Sequence, residues 1–240
     1  MSAGTLEKPG SHRRNGAFPS PDPPPLQNGD HLTRDEFERR YAAMPRLKKA
    51  ELIEGVVIMA SPVTAAHAAA QMAINGLLFF YAAGTPGVSY GDNATIRLDA
   101  DNEVQPDGLL RIEPAAGGKS RLARDGYYDG PPELILEIAY STVAHDLHEK
   151  FKVYRRNKVP EYVVWQIQEE RIACFAYRSG KYANLPLEGG VIRSHAFPGL
   201  WLDTKSLLTG DVRKALACLQ TGLDTPEHAA FARKLQTATR

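Results

Sequence analysis

Apolar and polar positions along the chain fall into blocks whose periods predict its elements. From Leu134 to Ala139 every residue is apolar except Glu137, which predicts a buried strand. Residues two apart share a strand face, so Leu134, Leu136 and Ile138 point one way and Ile135, Glu137 and Ala139 the other. Upstream, Glu51-Leu-Ile-Glu54-Gly55-Val-Val-Ile-Met59 predicts a hairpin turning at Gly55. Thr33 caps a short helix that Pro45 stops, and the Ala-rich run from Thr64 to Tyr81, ending at Gly84, predicts a largely buried helix. Strands are expected over Asn93–Leu98 and Glu103–Ile112, joined by a turn over residues 99–102 and followed by a Gly/Lys/Arg loop over 115–130. Asp146-Leu-His-Glu149 fits a capping box for a helix reaching about Asn157, with Leu147, Phe151 and Tyr154 on its core face. Tyr162–Ile167 and Arg171–Tyr177 read as a strand pair, and one or two helices follow Trp201. This order predicts an α/β fold: a mixed central sheet flanked by helices. Residues 93–98, 103–111, 134–139 and 162–167 are expected in one sheet, covered by the helices that contain Met72 and Lys150.

Composition adds boundaries. Residues 1–30 carry Gly, Pro, Ser, Asn and Arg with few large aliphatics, so they are expected to form a disordered leader. Residues 31–203 are expected to form one domain and 204–240 a C-terminal helical extension. A net charge of +1 supplies no global attraction to a polyanion, so any nucleic-acid surface must be a local patch. Cys174 and Cys218 form neither a disulfide framework nor a zinc-spaced pair, and they fit a reducing compartment. No apolar run approaches the ~18 residues of a membrane span, and the N-terminus lacks the apolar core of a signal peptide. A cytoplasmic protein with no membrane partner is expected.

Glu137 carries the chemistry of the chain. A carboxylate inside an apolar strand is costly to bury ionised unless a cation compensates it. Pro106-Asp107 lies one predicted strand away, and proline removes a ladder donor, which re-aims side chains beside it. Asp107 and Glu137 together could supply oxygen ligands to Mg²⁺, which takes one or two carboxylates, waters and phosphate oxygens. Lys150 stands four residues, about 6 Å, along the helix from the expected cap Asp146, within reach of Glu137. Its expected task is to orient or deprotonate an attacking water and to offset charge on a phosphorane. Lys152 points to the other side of that helix. Arg111, Lys119, Arg121 and Arg124, with Tyr127-Tyr128 nearby, could contact phosphates and stack on bases, although such runs are more often solvated loops. Neutralising Asp107 or Glu137 is expected to leave stability unaltered or raised, because like charges are relieved.

These residues resemble the Uma family of the restriction-endonuclease-like PD-(D/E)XK superfamily. The resemblance runs through Glu51-Leu-Ile-Glu-Gly55, Ser61-Pro62 with His67, Pro106-Asp107, Pro132 to Ile138, Ser141-Thr142, Asp146 with Lys150 and Tyr154, and Val159-Pro-Glu-Tyr162. It implies a restriction-endonuclease-like core, dependence on Mg²⁺ or Mn²⁺, and DNA as substrate. It also implies that Asp107 and Glu137 are the motif acids, that Glu51 can complete the metal shell, and that His67 is accessory. The superfamily's lysine position, two after the second acid, holds Ala139 here, and Lys150 supplies the lysine from the next helix. Gly108 stands where a branched apolar residue is usual, and Trp165-Gln166 replaces an acidic turn. The expected function is a metal-dependent DNA endonuclease; a homodimer is one arrangement it allows. The alternatives are a catalytically silent nucleic-acid-binding module on the same scaffold and a phosphoesterase acting on RNA or nucleotides.

Overall fold

The computed structural model describes residue 1 and residues 22–140 and 143–238, with backbone only at 143–147. Residues 2–21, most of the expected leader, lie outside the described residues. Residues 22–30, assigned to that leader from composition, pack instead: Leu26 is buried, and Gly29 N donates to Val57 O.

Thr33 Oγ1 caps α1 (Arg34–Ala42) by accepting from Glu36 N, as its position before an acidic first turn predicts. The hairpin is β1 (Ala50–Ile53) and β2 (Val56–Met59), with Glu54 and Gly55 both at positive φ in its turn. Thr64 caps α2 (Ala65–Ala83), which ends at Gly84. One side of α2 is buried through Ile74, Leu77, Leu78 and Tyr81, but Met72, Phe79 and Phe80 stay exposed, so the helix is half-buried rather than largely so. Next come β3 (Val88–Gly91), β4 (Ile96–Asp99), β5 (Asn102–Val104) and β6 (Gly108–Ile112). The single strand expected over residues 103–112 is therefore two. The break at Gln105-Pro106-Asp107 is where the chain passes from one sheet to another.

The expected loop over 115–130 carries a small hairpin, β7 (Arg121–Leu122) and β8 (Tyr128–Asp129). β9 (Leu134–Ala139) and β10 (Glu161–Gln166) flank α3 (Val143–Arg156). Because α3 begins at Val143, Asp146 lies inside it and is not its cap. Ser141 and Thr142, and the side chains of Asp146 and Leu147, fall outside the described residues. Beyond β11 (Arg171–Arg178) come β12 (Lys181–Asn184), β13 (Leu187–Glu188), β14 (Val191–Arg193) and β15 (Trp201–Asp203), then α4 (Thr204–Leu208), α5 (Val212–Leu223) and α6 (Pro226–Ala238).

Two six-stranded sheets organise this chain, with order β2-β1-β5-β4-β8-β7 in the first and β12-β11-β10-β9-β6-β3 in the second. The four strands expected in one sheet are thus divided, residues 96–99 and 102–104 from the rest. β9 pairs parallel with β10, across the α3 crossover, and antiparallel with β6, so the second sheet is mixed. Its two faces bury different layers. Leu134, Leu136 and Ile138 join α2 and the C-terminal helices in the larger core, where Leu207, Ala215, Leu219 and Leu235 are also buried. Ile135 joins Val153 and Tyr154 of α3 and Ile53 and Ile96 of the first sheet. Strand periodicity therefore turns Glu137 toward α3 and the first sheet.

α5 lies close to residues 199–201, and a Cβ on Gly222 would fall 2.2 Å from Gly199 O and 2.8 Å from Trp201 Cγ. Gly222→Ala is expected to destabilise the fold by roughly 1–3 kcal/mol, as overpacking does. Urea unfolding followed by circular dichroism checks this, and an unchanged midpoint would contradict it.

Candidate active site

Three elements bring carboxylates to the floor of one cleft of about 650 Å³. β1 presents Glu51, the crossover before β6 presents Asp107, and β9 presents Glu137, each no more than 6% exposed. Lys150, one turn and more along α3, reaches between the outer two: Nζ stands 2.8 Å from Glu51 Oε2 and 2.9 Å from Glu137 Oε1. Tyr154, one turn further on the same helix face, donates its hydroxyl to Glu137 Oε1 at 2.7 Å. Glu51 Oε1 also accepts from Gln105 N at 2.7 Å, which ties the first sheet to the crossover. Glu137 Oε1 thus accepts from both Lys150 and Tyr154, and the residue lines the cleft.

Asp107 has cations of its own. Oδ1 lies 3.3 Å from Lys49 Nζ, and Oδ2 accepts from Ile138 N at 2.9 Å and lies 3.4 Å from His67 Nε2. Its carbonyl accepts from Asn75 Nδ2 at 2.7 Å. Gly108 makes that contact available, since a Cβ there would sit 2.3 Å from Asn75 Oδ1.

The charges follow from this placement. Burial would raise the Asp107 pKa, but the His67 hydrogen bond, the Lys49 charge and the Ile138 N–H outweigh it and hold the carboxyl at about 2. His67 is raised above its ordinary value, chiefly by its hydrogen bond to Asp107. Glu137 moves the other way: burial raises it, and Lys150, shared with Glu51, offsets that only in part. Burial works against the Lys150 ammonium, yet Glu137 and Glu51 raise its pKa, so it stays protonated at neutral pH. Among the described residues no three His, Cys, Asp or Glu side chains stand gathered as a metal cluster. Lys150 occupies the space between Glu51 and Glu137.

The sequence model of the Uma2 family, described as "Putative restriction endonuclease", matches residues 34–205. The chain belongs to the Uma2 family. A crystal structure from Anabaena variabilis ATCC 29413, described as "a putative nuclease belonging to DUF820", is similar at a TM-score of 0.57 and 14% identity. The likeness covers 74% of this chain and 98% of that one, so the two share a fold. No curated protein sequence matches the chain. Among the described residues, no helix is long and apolar enough to cross a membrane.

Within this Uma2 chain the structure brings together at one cleft Asp107, Glu137 and Lys150, named from their placement in the sequence, and Glu51 and His67, named from the family resemblance. Lys152 points away and pairs with Glu149. The expected phosphate-contacting run does not join the cleft. Arg111 is buried, donates to Ser120 O and lies over the Tyr128 ring, so it holds the hairpin of β7 and β8 rather than a phosphate. Lys119, Arg121 and Arg124 are exposed at that hairpin, outside the cleft lining. Sequence reasoning missed Lys49. Its signal was available: it stands two residues before Glu51, on the same face of an extended chain.

The depressed Asp107 goes against the expectation that its neutralisation leaves stability unaltered or raised, whereas the raised Glu137 agrees with it. Asp107 is depressed, so its stabilisation is complete above its unfolded pKa of roughly 3.9 and is lost as pH falls through about 2. Glu137 is raised, so its ionisation opposes folding as pH rises above its unfolded value. At pH ~7, Asp107→Asn is expected to cost about 2 kcal/mol, and Glu137→Gln to leave stability unaltered or raised. Urea unfolding of both variants checks the order, and equal or reversed costs would contradict it.

Proposed function

We propose that the chain is a divalent-metal-dependent endonuclease that hydrolyses DNA phosphodiester bonds at this cleft. The observation that supports the reading best is the convergence of three buried carboxylates and Lys150 on one cleft floor, in a chain of the Uma2 family. The residues fit Mg²⁺ or Mn²⁺: Glu51, Asp107 and Glu137 all line the cleft and offer carboxylate oxygens. Asp107 and Glu137 would hold the ion, with Glu51 completing the set. When bound, such an ion supplies charge stabilisation to the reacting phosphate and acidifies water.

Hydrolysis adds one water oxygen to phosphorus and breaks the bond from phosphorus to the leaving deoxyribose oxygen. One proton leaves the water and one is delivered to the leaving oxygen. Lys150 remains an ammonium at neutral pH, so it orients the water and offsets negative charge on the phosphate and does not abstract the proton. Tyr154 fixes the Glu137 carboxylate from behind, and Asn75 and Ile138 N fix Asp107. Lys49 and His67 keep Asp107 ionised.

One observation favours a second reading, a silent binding module: Lys150 already neutralises Glu51 and Glu137 without a metal. Supercoiled plasmid with Mg²⁺ or Mn²⁺, against EDTA, decides between the two. The parent is expected to cleave, and Asp107→Asn or Glu137→Gln to lose activity on the order of 100-fold or more. Lys150→Ala is expected to lose activity and, by leaving two buried carboxylates without their cation, about 3–5 kcal/mol of stability. Lys152→Ala is the mild control. Cleavage persisting in the Asp107 and Glu137 variants would contradict this site, and a parent inert on both supercoiled plasmid and single-stranded DNA would favour the binding module.

A further inference from the structure

The walls of the cleft differ from its floor. Val56, Ile58, Met59, Pro62, Val63 and Tyr140 contribute an apolar surface beside the carboxylates. Val63 is 63% exposed and Tyr140 is 38% exposed, and neither is needed to fill a core. The two lysines of the lining, Lys49 and Lys150, are held by the cleft's own acids. The remaining charged lining residues, Glu54 and Glu149, are acidic and face cations of α3, Arg156 and Lys152. Among the described residues, the cleft thus lacks spare lysine or arginine to track the two phosphate backbones of a duplex.

Intact duplex binding rests on such cations, because phosphate neutralisation supplies most of its sequence-independent affinity. An apolar wall with an exposed aromatic ring suits a base instead. Bases out of the stack gain about 1–3 kcal/mol each on aromatic side chains, whatever their identity. A cleft of about 650 Å³ also lies in the range, roughly 300–1,000 Å³, that encloses a small ligand such as a single nucleotide.

We infer that this cleft selects an unpaired nucleotide, in a single strand, a flap or a base turned out of its helix, with the base against Tyr140 and the apolar wall and the phosphate over the carboxylates. This rests on the nuclease reading for the chemistry but not for the binding. Tyr140 is then a specificity residue, and the identity of the base matters little.

The test uses the full chain and labelled oligonucleotides: a single strand, the same strand annealed to its complement, and that duplex bearing a single-stranded flap. Fluorescence anisotropy in Ca²⁺, which accepts the same oxygen donors, is run beside cleavage in Mg²⁺ or Mn²⁺. The strand and flap are expected to bind at least ~10-fold tighter than the blunt duplex. Tyr140→Ala is expected to remove most of that preference, by about 5- to 150-fold in affinity for the strand, and Tyr140→Phe to restore it. Equal or tighter binding of the duplex, no binding of any probe, or no effect of Tyr140→Ala would overturn the inference. A parent that binds the strand by this pattern yet cleaves nothing would remove the nuclease reading and keep this one. A parent that cleaves duplex as fast as single strand would do the reverse. Because Tyr140 is exposed, its variants are expected to unfold at the parent's urea midpoint, so a loss of binding reads the contact and not the fold.

Discussion

Carboxylates taken out of water side by side repel one another and lose their hydration, and a fold that buries three of them must hold cations against them. That requirement shapes the middle of this molecule. Lys150 can meet Glu51 and Glu137 together only if α3 lies across both β9 of one sheet and β1 of the other. The two sheets are joined at the same point by Gln105-Pro106-Asp107, whose backbone donates to Glu51 and whose aspartate accepts from β9. Apolar contacts close the arrangement around the charges: Ile135, Val153, Tyr154 and Ile53 form one continuous cluster beside them.

The distribution of cations divides the site into two halves with different electrostatics. Asp107 has Lys49 and His67 to itself and is held ionised, whereas Glu51 and Glu137 share a single ammonium. The second half therefore holds two buried acids against one buried cation. A lysine whose pKa is raised by two acids is a poor proton acceptor and a durable positive charge. That suits it to positioning water and offsetting phosphate charge, and leaves the proton to another acceptor.

Much of this was legible from residue pattern. The alternation in Leu134–Ala139 gave both faces of β9 correctly, because a strand buried on two sides admits one polar residue only where another layer compensates it. Thr33 and Thr64 marked helix starts through local hydrogen bonds that need no tertiary information. What escaped was long-range. Nothing local distinguishes a continuous strand over residues 103–112 from two strands in different sheets, since Gln105-Pro106-Asp107 is extended either way and only the pairing partners differ. Arg111 read as a phosphate contact because its neighbours are basic, yet its strand position turns it inward against Tyr128. Likewise the Asp146 capping signal sat inside a helix that started earlier, at Val143. Lys49 was visible as a charge but not as a partner, since Asp107 lies 58 residues away.

The central claim is that the Asp107 and Glu137 carboxylates form a cation site that Lys150 guards on one side. Anomalous diffraction from crystals soaked in Mn²⁺ tests it most directly. The account predicts a single strong peak in the cleft, liganded by the Asp107 and Glu137 carboxylates with Glu51 completing the set. A cleft with no peak at saturating Mn²⁺, or a peak whose ligands exclude both Asp107 and Glu137, would contradict it.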